Sequence, residues 1–97
     1  IEMLEKAYSL ENKDPYIIDS IGWAYYLIDD YTEAEKYLKR AVELMPDDAI
    51  VSDHYGDILW KLGQKIQARY FWRSVLKMKD VDEELLKKIN SKIIDGL

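Results

Sequence analysis

The sequence predicts an all-α chain of stacked helical hairpins. Three observations predict it: a repeat register that never drifts, helix start and stop signals at matching points of that register, and no stretch that alternates with period two. Displacing the sequence by 34 residues lays Gly22 on Gly56, Ala34 on Ala68, Leu38 on Trp72 and Ala41 on Val75. The same displacement lays Leu4 on Leu38, Ala7 on Ala41, Leu10 on Leu44 and Asp14 on Asp48, and then Asp48 on Asp82. Identities are few, but apolar, small and turn positions keep step. Such a period implies units that cannot bury their apolar faces alone and must stack.

The helices follow from their ends. Asp14-Pro15, Asp48-Ala49 and Asp82-Glu83 each set an acid where its carboxylate can accept an unpaired backbone N–H. Pro15 suits a first turn, since the N–H it lacks would have no helical partner there. Asp30 and Glu33 form a capping-box pattern that opens another helix, which Pro46 stops, and Gly63 breaks the next pair at the matching turn. Six helices are expected, over residues 1–11, 16–28, 31–44, 48–61, 65–78 and 83–94. The units run 1–14 (a second helix whose partner lies upstream), 15–48, 49–82 and 83–97 (a closing helix), in one domain.

Composition sets the outer limits. With 97 residues, 48% hydrophobic and 34% charged, the chain can bury a modest core. A net charge of −5 argues against nucleic acid as a partner, because a strongly basic surface is its usual footprint. Without cysteine there are no disulfides and no thiolate metal sites, and the compartment stays open between cytoplasm and cell envelope. No apolar run approaches the ~20 residues of a membrane span. Ile1 is not Met and falls inside a helical pattern, so the natural start is expected upstream.

These residues carry a family resemblance. Ile18, Ile21-Gly22, Tyr25, Ala34, Leu38, Ala41 and Pro46 are similar to the tetratricopeptide-repeat pattern. In the second unit Ser52, Tyr55-Gly56, Leu59, Ala68, Trp72, Val75 and Asp80 hold the same positions, with Leu86, Ile89 and Ile93 in register after them. Asp29 departs from the usual turn glycine, Ser52 from a bulky residue and Asp80 from proline. The run Ile21-Gly-Trp-Ala-Tyr-Tyr, His54-Tyr-Gly-Asp and the closing Ile93-Ile94-Asp95-Gly96-Leu97 resemble the C-terminal repeats of bacterial members. The resemblance implies a right-handed α–α superhelix that acts as a scaffold binding a protein or peptide in a concave groove.

By that resemblance the groove is lined by Tyr16, Asp19, Trp23, Tyr26 and Leu27, then Ile50, Asp53, Asp57, Trp60 and Lys61. Such a wall mixes aromatics with acids and suits a partner with apolar anchors and some Lys or Arg. Its acids repel a C-terminal carboxylate of the kind some members of the family clamp. The plainer reading packs Tyr26 and Trp60 between hairpins and leaves the acids in water. On residues 65–78, Lys65, Arg69, Arg73 and Lys77 recur every four residues and predict a basic ridge, or simply a solvated back. Ile1, Met3, Leu4 and Tyr8 would offer an apolar strip for a weak homodimer. The competing function is structural, a segment of a longer superhelix with no ligand of its own.

Catalysis finds no support in the sequence. His54 is the one histidine; the adjacent Asp53 diverges from it around the helix, Asp57 sits a turn below Asp53, and with no cysteine and no second histidine neither a metal site nor a cofactor site is expected. The four glycines are scattered and form no phosphate loop.

Overall fold

A computed structural model describes residues 14–97, which form five helices: α1 (Pro15–Leu27), α2 (Tyr31–Leu44), α3 (Ala49–Lys61), α4 (Lys65–Leu76) and α5 (Glu83–Asp95). Among the described residues there is no strand. The expected helix over 1–11, and the apolar strip on it, lie outside the described residues.

The caps work largely as their residue types require. Asp14 accepts from the Tyr16 amide at 2.9 Å, Asp30 from Glu33 at 3.3 Å and Asp48 from Val51 at 3.0 Å, each satisfying one orphan donor of a first turn. The Glu33 carboxylate pairs with Lys36 at 3.0 Å. Asp82 corrects the expectation: it stands at the N-cap of α5, but its side chain makes no capping bond. Glu83 and Glu84 put negative charge at that helix's positive end instead.

The two turns inside the hairpins share one conformation. Asp29 (φ 64°) and Gly63 (φ 82°), one register apart, both sit in the left-handed region. The short polar side chain of Asp29 tolerates what glycine accepts freely. Asp80, which stands where the first unit has Pro46, is also left-handed (φ 58°), a conformation closed to proline. Ahead of it α4 ends at Leu76, two residues short of the expected end.

The helices pack as antiparallel hairpins, α1 on α2 and α3 on α4, with α2 against α3 and α4 against α5, so the architecture is an α–α solenoid. Ile18, Leu38, Val51, Ile58, Trp72, Val75 and Ile89 form one continuous core through all five helices. The hairpins close only because Gly22 and Gly56 carry no side chain. A Cβ on Gly22 would stand inside Leu38, and one on Gly56 inside the Trp72 indole. Gly56→Ala is therefore expected to lower stability by about 1–3 kcal/mol through overpacking, read by urea unfolding.

Candidate functional site

The first helices of the two hairpins lie side by side, and their shared face holds most of the residues that the sequence singles out. Its centre is a stack of aromatic rings that crosses from one hairpin to the next. Trp23 lies parallel to Tyr26 at 4.4 Å and parallel to the His54 imidazole of α3 at 3.9 Å. Tyr31 extends the row, tilted 54° to Tyr26 at 5.5 Å. The register explains the crossing. Asp19 and Asp53 occupy equivalent positions, so the residue after Asp53 meets the helix that carries Asp19. His54 Nδ1 lies 3.0 Å from Asp19 Oδ1, which fixes the ring against Trp23. The imidazole thus serves the stack, and among the described residues no group of three His, Cys, Asp or Glu is placed to hold a metal ion.

Tyr26 and Trp23 are half-buried. Burial, with the negative field of Asp57 behind it, pushes the Tyr26 phenol up to about 12, so it stays a neutral donor at physiological pH. Tyr16 is exposed, and its hydroxyl donates to Asp48 Oδ2 at 3.3 Å. Leu27, Ile50 and Ile94 are exposed apolar side chains of these first helices and of α5.

The acids are not the solvated row that the plainer reading of the sequence describes. Asp19, Asp53 and Asp57 are no more than 9% exposed. Lys92, reaching in from α5, donates to Asp53 Oδ1 at 2.8 Å and to both Asp57 oxygens at 3.0 and 3.2 Å. The buried Trp72 Nε1–H donates to Asp57 Oδ1 at 3.1 Å. Burial and the Asp53 charge raise the Asp57 pKa above the ordinary carboxylate value, against the pull of Lys92. Burial works against the Lys92 charge, but the bond to Asp53 and the field of Asp57 outweigh it and raise its pKa. Lys92 therefore compensates Asp53 and Asp57 in part, while Asp19 faces His54.

Trp60 sits at the other end of this face and is half-buried. Its ring lies 5.6 Å from Trp72, with the Arg69 guanidinium at 4.9 Å and the Lys65 ammonium at 5.0 Å from its centre. The backbone of Gly96 closes on the same ring so tightly that a Cβ there would strike it. Arg69 Nε also donates to the Ile93 carbonyl at 2.9 Å, so it helps to dock α5. The four basic residues of α4 and its C-cap are thus divided: Lys65 and Arg69 gather at Trp60, while Arg73 and the C-cap Lys77 are exposed, as is Lys61.

Two participants escape a reading of the sequence. His54 stands out only as a weak metal ligand until the neighbouring helix brings Asp19 and Trp23 to it. Lys92 does leave a signal: the register places it on Ile58 and Ala24, so a lysine occupies a line where the previous unit buries isoleucine completely.

Comparison with known proteins bears on the repeat itself. Residues 15–48 match the family model of the tetratricopeptide repeat. The chain is similar to the TPR repeat-containing protein PA4667 of Pseudomonas aeruginosa, 38% identical over 56 residues, or 58% of this chain. It is also similar to Protein bimA of Emericella nidulans, 32% identical over 72 residues, or 74% of this chain. The matches cover 9% of each relative's length. The repeat match, these relatives and the stacked helical hairpins together make this chain a member of the tetratricopeptide-repeat family.

Proposed function

We propose that this chain binds a segment of another protein across the face built by α1, α3 and α5. Repeats of this family mediate protein–protein interactions and form a non-catalytic scaffold. Among the described residues no helix is long and apolar enough to cross a membrane. The observation that carries the finer reading is the row Tyr31–Tyr26–Trp23–His54. Four half-buried rings are held in fixed mutual geometry, and exposed Tyr16, Leu27 and Ile50 lie on the same helices. Rigid aromatic groups bury much area at little entropic cost, and such groups dominate binding where a partner excludes water from them.

The charge balance supports the partner's character. Lys92 already fills the cleft between Asp53 and Asp57 and stacking covers the Trp23 ring, so a partner's lysine or arginine is drawn by the field of the remaining acids of the face, Asp19 and Asp48, and not by a ring face. Apolar anchors set between basic residues fit that surface. A C-terminal carboxylate does not.

Tyr26→Ala is the discriminating variant, because it removes the middle of the row while leaving the buried acids intact. In a peptide array of apolar–basic segments, followed by titration of the best binder, it should weaken binding by roughly tenfold or more. Affinity within about twofold of the parent would contradict the reading, and an array with no binder at all would favour a purely structural segment. Asp57 is unsuited to this test: buried and bonded to Lys92 and Trp72, it reports on the fold.

A further inference from the structure

We propose that the outward face of α4 is a second docking ridge, which takes an acidic amphipathic helix of a partner protein. At 3.6 residues per turn, Ile66, Tyr70, Arg73 and Lys77 fall within about 60° of one another around the helix, opposite the buried Ala68, Trp72 and Val75. Ile66 is 84% and Tyr70 66% exposed, although α4 has a full complement of buried apolar residues on its inner side. The stripe is polarised, apolar over its first half and cationic over its second. Ile66, Tyr70, Arg73, Ser74 and Lys77 line a shallow cavity of about 400 Å³. Tyr70 stands edge-on to Phe71 at 5.2 Å, and Phe71 edge-on to Tyr55 at 4.7 Å, so the exposed ring rests on a packed one.

The electrostatics select the occupant. No acid occurs between Gln64 and Lys79. On α2, by contrast, Lys36, Lys39 and Arg40 are interspersed with Glu33, Glu35 and Glu43, and Lys36 is paired with Glu33. Arg73 and Lys77 therefore present uncompensated charge on their own helix, and a guanidinium can hold a carboxylate through two parallel bonds. From Ile66 to Lys77 the stripe is about 16 Å long, the span of about three helical turns. One short helix, with apolar residues on Ile66 and Tyr70 and Asp or Glu on Arg73 and Lys77, covers it. An extended polyanion such as a lipid surface or RNA meets the net charge of −5 as well, including Asp47, which lines the adjoining cavity with Ser74, Lys77 and Lys79. A short peptide meets the ridge alone.

The test is selection from a displayed library of random peptides of ~15 residues, long enough to cover the stripe as a helix. The best acidic, apolar sequence is then synthesised and titrated by fluorescence anisotropy. Acidic amphipathic sequences should enrich. Their affinity should fall by at least about tenfold in Arg73→Glu with Lys77→Glu, and likewise in Ile66→Ser with Tyr70→Ser. Lys36→Glu with Arg40→Glu, on the neighbouring α2, should change it by less than about twofold. Where a double variant loses its helical circular dichroism, the single Arg73→Glu is read in its place. No enrichment of acidic sequences, or enriched peptides that bind these variants unchanged, would overturn the proposal. Co-sedimentation with phosphatidylserine vesicles that is abolished by Arg73→Glu with Lys77→Glu would also overturn it, in favour of a lipid surface.

Discussion

Replacing Lys92 with methionine is expected to destabilise the fold by about 3–5 kcal/mol, because the substitution keeps the side-chain stem and removes only the charge. Asp53 and Asp57 would then be two buried carboxylates with no cation between them. The pH dependence identifies the cause. In the parent the folded-state pKa of Lys92 is raised above the ordinary lysine value of 10.5, so its contribution is complete at neutral pH and is lost only as pH rises through that higher value. In the variant Asp57, whose folded-state value is already raised in the presence of the lysine, loses the cation that lowers it. A carboxyl group whose folded pKa is raised favours the folded state as it protonates. The variant's deficit should therefore shrink as pH falls from neutral toward about 4. Urea unfolding at several pH values measures both effects. A deficit that is small at neutral pH and flat with pH would show that the carboxylates are not held charged and buried.

Trp72→Ala is expected to cost at least about 3–5 kcal/mol. Its indole is wholly buried, fills the space that Gly56 leaves open, and lies under Trp60. It also donates to Asp57, so truncation opens a cavity and removes a bond from a buried carboxylate together. Trp72→Phe separates the two contributions. It restores most of the volume without the donor and should cost about 1–3 kcal/mol. Equal losses in the two variants would place the whole effect on the missing hydrogen bond.

These two sites also show what could be read in advance. The small residues at Gly22, Gly56, Ala34 and Ala68 and the large ones at Leu38 and Trp72 follow from the repeat register, because close helix approach and core filling recur with the unit. Helix limits are equally local: the first three caps form as their acids require. The end of α4 is not: the helix stops at Leu76, ahead of a left-handed Asp80 that stands where the first unit has proline. The face itself was legible as a set of residues but not as a set of contacts. Asp19, Asp53 and Asp57 look alike in sequence, and only the neighbouring helices bring His54 to the first and Lys92 to the other two. Pairing across helices changes an acidic wall into a compensated one, and turns an unpromising histidine into the end of an aromatic row. The division of the basic residues has the same origin, because Trp60 and the end of α5 draw Lys65 and Arg69 away from Arg73 and Lys77.

The central claim is that a protein segment binds on the aromatic face of the first helices. The chain's three tryptophans test it directly, since each supplies one indole N–H resonance. Titrating the ¹⁵N-labelled chain with the best peptide from the apolar–basic array should shift the Trp23 indole signal most. The Trp72 indole, buried and bonded to Asp57, should stay in place. A peptide that binds while leaving the Trp23 resonance unmoved would contradict the assignment of this face.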